Sequence, residues 1–132
     1  MLGEKIAELK GKVTDHRVLD SQGSTETTIT FDSTYREIPS RMYVTFVGRP
    51  SSEKGVIQGK GQGVVLAGES DVATFTAQGR GKITSSGGAK WRGAHFFGTT
   101  NGGLAFLNNV IRLFEGDMDA EGNDITKIWE WK

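Results

Sequence analysis

The residues of this chain whose types could do chemistry are few: two histidines, one arginine among apolar neighbours, a run of carboxylates and a row of cations. His95 sits in "WRGAHFFG", sharing its alternation with Trp91, Gly93 and Phe97. In a strand, His95 therefore shares a face with those small and aromatic residues. A neutral imidazole there can act as a base or orient a ligand, or it can be a core histidine bonded to its surroundings. His16 lies near a polar hairpin and reads as structural. The two histidines have no histidine partner at strand or helix spacing, so no metal site is expected. Arg112, in "NNVIRLFEGDMDAEG", alternates with Val110, Phe114, Gly116 and Met118. That parity puts a guanidinium on an apolar face, either stacked on a tryptophan or clamping the carboxylate of an anionic ligand.

Glu115, Asp117 and Asp119 form an acidic comb on alternate residues. On a strand this reads as one solvated face rather than an acid–base pair. Lys60, Arg80 and Arg92 line up across neighbouring strands in the register derived below, with Lys82 beside Lys90. Like charges directly opposite destabilise a sheet. The comb is the first candidate to neutralise them, an acidic patch on another subunit the second, and nucleic acid the third.

The bulk composition narrows the classes. With 132 residues the chain suits one domain, 1–132, around a single core. Sixteen basic and 16 acidic residues give zero net charge, so no global field gathers nucleic acid or a membrane surface. Cysteine is absent, which removes disulfides, thiolate chemistry and Cys-based zinc sites. No apolar run is long enough to span a bilayer, and "MLGEKIAELKGK" carries charge where a signal peptide has its apolar core. The expectation is a soluble cytoplasmic protein without a cofactor.

Strand-like segments recur at 5–19, 25–36, 41–48, 55–67, 72–84, 89–98, 110–119 and 124–131, separated by "DSQGS", "REIPS", "GRPSSEKG", "AGESD", "SSGG", "TTNGGLAFLNN" and "AEGN". Short glycine-containing loops between strands indicate antiparallel hairpins. A helix is expected over Gly102–Asn109, with Thr100 or Asn101 as its N-cap. "EKIAEL" near the start could instead open as a short helix.

"GVIQGKGQGVVLAG" at 55–68 mixes glycine with Val, Ile and Leu, and "QGKGQ" at 58–62 is echoed by "QGRGK" at 78–82. In a hairpin turning at 68–71, Gly61 faces Gly79 and Val65 faces Phe75. In the next, turning at "SSGG", Gly79 faces Gly93, Gly81 faces Trp91 and Phe75 faces Phe97. One face of these strands is then apolar or small apart from His95, while the other carries Gln, Thr, Lys and Arg. A one-residue slip would invert that separation. The inward glycines let strands coil tightly enough to close a small barrel and make room for Trp91, Trp129 and Trp131, or else they floor a ligand cavity. No phosphate loop or dinucleotide fingerprint occurs.

These hairpins, "GKGQGVVLAGESDVATFTAQGRGK" and "GGAKWRGAHFFGTT", and the closing "FEGDMDAEGNDITKIWEWK" resemble small calycin-like barrels. Within those they are most similar to the allene-oxide-cyclase-like barrels and related uncharacterised prokaryotic families, over roughly residues 55–132. The resemblance implies the fold and, for the cyclases, a buried polar group that steers a reactive apolar substrate. No catalytic residue carries over by position.

The expected fold is all-β: a closed antiparallel barrel of about eight strands with one short helix at an end. The leading function is binding a small, mostly apolar, fatty-acid-like ligand with a polar or anionic head. Its site would be lined by Phe75, Trp91, His95, Phe97, Phe114, Trp129 and Arg112. A cofactor-free cyclase or isomerase using His95 or a buried carboxylate is the alternative. A filled barrel acting as an oligomeric scaffold is the third. Ile111, Leu113 and Ile128 are expected outside, forming a homo-oligomer interface, most simply of a dimer. Pairing across "AEGN" would set Arg112 opposite Trp131 and Phe114 opposite Trp129. A bulge at Gly122 would reverse that parity and turn Leu113 and Glu115 inward.

Overall fold

A computed structural model describes residues 2–35, 37–100 and 102–131, with the backbone alone at Leu2, Glu4, Ile6, Tyr35, Thr99 and Thr100. The strands are β1 (Leu2–Val18), β2 (Thr25–Tyr35), β3 (Ile38–Pro50), β4 (Val56–Ala67), β5 (Asp71–Ile83), β6 (Ala89–Thr100), β7 (Ile111–Met118) and β8 (Asn123–Trp131). Each pairs antiparallel with the next, and β8 returns to β1, closing an eight-stranded barrel with no free edge. The expected all-β closed barrel is what forms. "EKIAEL" is strand, because this part of β1 pairs with β8 to close the ring. Among the described residues no helix is long and apolar enough to cross a membrane.

The β5–β6 register is the expected one, with Gly79 on Gly93 and Gly81 on Trp91. The β4–β5 register is displaced by two residues: Gly59 faces Gly79, Gly61 faces Ala77 and Gly63 faces Phe75. Ala67 pairs with Asp71, so the loop is 68–70 and not one residue longer. A two-residue displacement preserves which face each side chain takes. The glycines act as seats for aromatic rings. A methyl on Gly81 would lie 2.8 Å from Trp91, on Gly61 2.8 Å from Phe46, and on Gly93 2.7 Å from Phe114. Packing, rather than an open glycine floor, accounts for them.

The last hairpin corrects the expected pairing. Arg112 faces Glu130, Leu113 faces Trp129 and Phe114 faces Ile128. Gly122, at φ 85°, provides the bulge; Gly122 N donates to Asp119 O, and Asp119 N to Asn123 O. The parity of β7 is held by β6, where Arg112 faces His95, so the extra residue shifts β8 instead. Ile128 is consequently fully buried, not an interface residue, and Trp129 lies on the outer side. Leu113 and Glu115 stay outward.

The two ends of the barrel differ. The expected helix is a 3₁₀ helix, Gly102–Leu107, shorter than Gly102–Asn109. With three residues per turn, Leu104 and Leu107 eclipse and both enter the barrel, where they are fully buried. Asp71 Oδ2 accepts from Gly103 N at 2.9 Å and so ties this plug to the β4–β5 corner. Asn101 and the Thr100 side chain, expected as caps, lie outside the described residues. Leu9, Phe31, Met42, Val65, Phe75, Phe97, Phe114 and Ile128 join the plug in one core cluster. The barrel is thus filled at the plugged end.

Candidate functional site

Above that core the interior is open. A cavity of about 440 Å³ runs from the barrel's middle to the end carrying the loops at 84–88 and 119–122. Its wall is mainly apolar: Val13, Ile29, Val44, Phe46, Ile57, Trp91 and Phe114. Phe46 stacks on Trp91, centroids 6.1 Å apart, and Phe114 follows at 6.4 Å from Phe46. The molecule is a cup with an aromatic side.

His95 stands at the floor of the cup. It is 3% exposed, 4.7 Å from Phe114 and 4.8 Å from Phe75 between ring centroids. Its Nδ1 is buried without a hydrogen-bond partner. Burial, helped by the charge of Arg112 on the neighbouring strand, pushes its pKa down to about 3. His95 is therefore a neutral imidazole at any physiological pH. Arg112 lies beneath, its Cζ 5.2 Å from the centroid of the Phe97 ring. Arginine does stack on an aromatic ring, but on Phe97 of the adjacent strand rather than on Trp131.

A carboxylate the sequence reading passed over completes the interior. Asp124 is 4% exposed and faces the cup beside Thr126, whose hydroxyl donates to Asp124 Oδ1. Burial raises its pKa to about 6; the Thr126 bond opposes this and the charge of Asp117 adds to it. Gly116 leaves the space: a methyl there would sit 2.9 Å from Thr126 Oγ1 and 3.6 Å from Asp124 Oδ1. His95 faces Arg112 while Asp124 faces Met118, six residues along β7, which is roughly 20 Å of strand. The two groups cannot share a proton directly.

Of the site residues expected from sequence, Trp91, His95 and Phe114 line the cup. Phe75, Phe97 and Arg112 form the layer under it. Trp129 is outside. His16, read as structural, reaches the rim because β1 shifts register between Val13 and Asp15; its Nδ1 is 2.6 Å from Thr27 Oγ1. Phe46, Thr126 and Asp124 were not singled out from sequence. Among the described residues no three His, Cys, Asp or Glu side chains gather as a metal site.

Outside, the two arginines of the cationic row are paired within the chain. Arg80 and Arg92 face each other, but Arg80 Nη2 meets Glu53 Oε2 at 2.7 Å and Arg92 Nε meets Glu115 Oε1 at 3.8 Å. Lys90 faces Asp117 on β7 and Lys82 on β5 in the backbone register. Lys60 sits one pair away, opposite Gln78. Asp119, the last tooth of the comb, holds the turn: its Oδ1 accepts from the amides of Glu121 and Asn123.

Comparison with known proteins adds the fold. A conserved protein of unknown function from Rhodopseudomonas palustris has a crystal structure similar to this chain, with a TM-score of 0.73 and 9% identity over 99% of both chains. No family model and no curated protein matches the sequence.

Proposed function

We propose that the protein binds a small, mostly apolar ligand with a polar head in the open half of the barrel. One observation carries this reading: the interior is packed solid at the plugged end yet leaves about 440 Å³ open at the other. Cavities of a few hundred Å³ with apolar walls and few polar groups are the usual form of small-molecule sites. A scaffold needs no such opening. Arg80 and Arg92 of the cationic row are engaged by Glu53 and Glu115, and the net charge of zero supplies no field to gather nucleic acid.

Calorimetric titration with 1-octanol tests the reading. Saturable one-to-one binding is expected, with loss of affinity in Val44→Phe and Ile29→Phe, which fill the wall from different strands. Absence of saturable binding to the parent protein overturns it.

A second reading rests on Asp124. A cavity carboxyl titrating near neutrality can exchange a proton with a bound molecule. That suits a cofactor-free cyclase or isomerase acting in the barrel.

A further inference from the structure

Among the described residues, the titratable side chains that line the cup are His16, His95, Asp119, Glu121 and Asp124, with no lysine or arginine. His95 is neutral and Arg112 lies below the floor. A carboxylate head would meet like charge at the rim and no cation inside. Asp119 is committed to the turn amides, which leaves Asp124 as the carboxylate set within the wall. A carboxylate offers about four acceptor sites, and the Thr126 hydroxyl fills one.

The register leaves the carboxylate room on the β7 side. Gly116 faces Trp91 on one side and Thr126 on the other. The indole leans away over Gly81 and Gly59, so the side chains nearest Gly116 are Thr126 and Asp124, both lining the cup. A buried carboxylate with acceptor sites left over is the chemistry that holds an ammonium ion. A buried polar atom also marks the cavity independently: His95 Nδ1, at the floor, has no hydrogen-bond partner.

Resting on the binding reading above, we propose that the cup takes an apolar molecule bearing an ammonium group, its cation held at the Asp124 carboxylate beside Thr126. The apolar body then extends along Phe46 and Phe114 toward His95.

The test compares octylammonium, 1-octanol and octanoate at pH 7.5, below their micellar concentrations. Calorimetry is read beside the emission of Trp91 in a Trp129→Phe/Trp131→Phe background. Octylammonium is expected to bind about tenfold or more tighter than either competitor, the range of a charge-assisted contact. Asp124→Asn should bring octylammonium to the level of octanol bound to the same variant. Repeating the comparison at pH 4.5, where Asp124 is protonated, should remove the preference for octylammonium, which keeps the proposal testable if Asp124→Asn does not fold. If octanol binds and octylammonium binds no tighter, the ammonium assignment is overturned and the cup remains a binding site. If none of the three binds, both readings fall.

Discussion

The ring of Phe114 lies on the imidazole of His95, with centroids 4.7 Å apart and planes 22° from parallel. This contact joins the core below to the cup above, and it fixes how the molecule responds to acid. His95 titrates near 6.5 in an unfolded chain but near 3 when buried here. The unfolded state therefore binds more protons between those values. The stability contributed by the neutral ring is complete above about pH 6.5 and is lost as pH falls toward 3. His95→Phe, which keeps an aromatic in the slot, should lose less stability than the parent between pH 7.5 and 4.5. Urea unfolding at both pH values checks this; parallel losses would contradict it.

Asp124 works with the opposite sign. Its pKa rises from 3.8 to about 6 on folding, so the native state binds more protons in that interval. Stability from this group is greatest below about pH 4 and is lost as pH rises through 6. Asp124→Asn should gain on the parent by roughly 2–3 kcal/mol between pH 4 and 7.5. Denaturant midpoints across that range measure it, and a constant difference would mean that the carboxyl is solvated.

The seats of the aromatic rings give a paired prediction. A methyl at Gly93 would collide with the Gln78 carbonyl and the Phe114 ring, whereas at Gly98 the nearest atom is 3.7 Å away. Gly93→Ala should destabilise by about 1–3 kcal/mol, the range of overpacking. Gly98→Ala should be close to neutral. Equal effects in urea melts would show that the ring contacts do not limit the fold.

His95 and Trp91 were legible as interior residues because they share one parity with the glycines and phenylalanines of β5 and β6, and Phe114 because it alternates with Gly116 and Met118. A two-residue error in the β4–β5 pairing left their faces unchanged. Asp124 was not legible. Its direction depends on a single extra residue at Gly122, and on which strand absorbs it. The pairing of β6 with β7 makes that choice, and no local pattern in "DMDAEGND" records it. The cup itself was equally hidden. Leu104 and Leu107 share a face in either helix type, and nothing in "NGGLAFLNN" says that the segment folds into the barrel mouth rather than over its outside.

On the outer surface Phe96 and Ile111 face each other across β6 and β7, 45% and 39% exposed, beside the Leu113–Trp129 pair. A contiguous apolar patch of this kind marks an association surface. A symmetric dimer through this face is expected, and Phe96→Asp should dissociate it. Sedimentation of the parent as a single 14.3 kDa species at high micromolar concentration would contradict the expectation.

The location of a bound molecule tests the central claim most directly. Intermolecular nuclear Overhauser effects between 1-octanol and the labelled protein report which residues the probe touches. Cross-peaks to the Val44 and Ile29 methyls and the Trp91 ring are predicted, since all three line the cup. Cross-peaks confined to Phe96 and Ile111 on the outer face would contradict it.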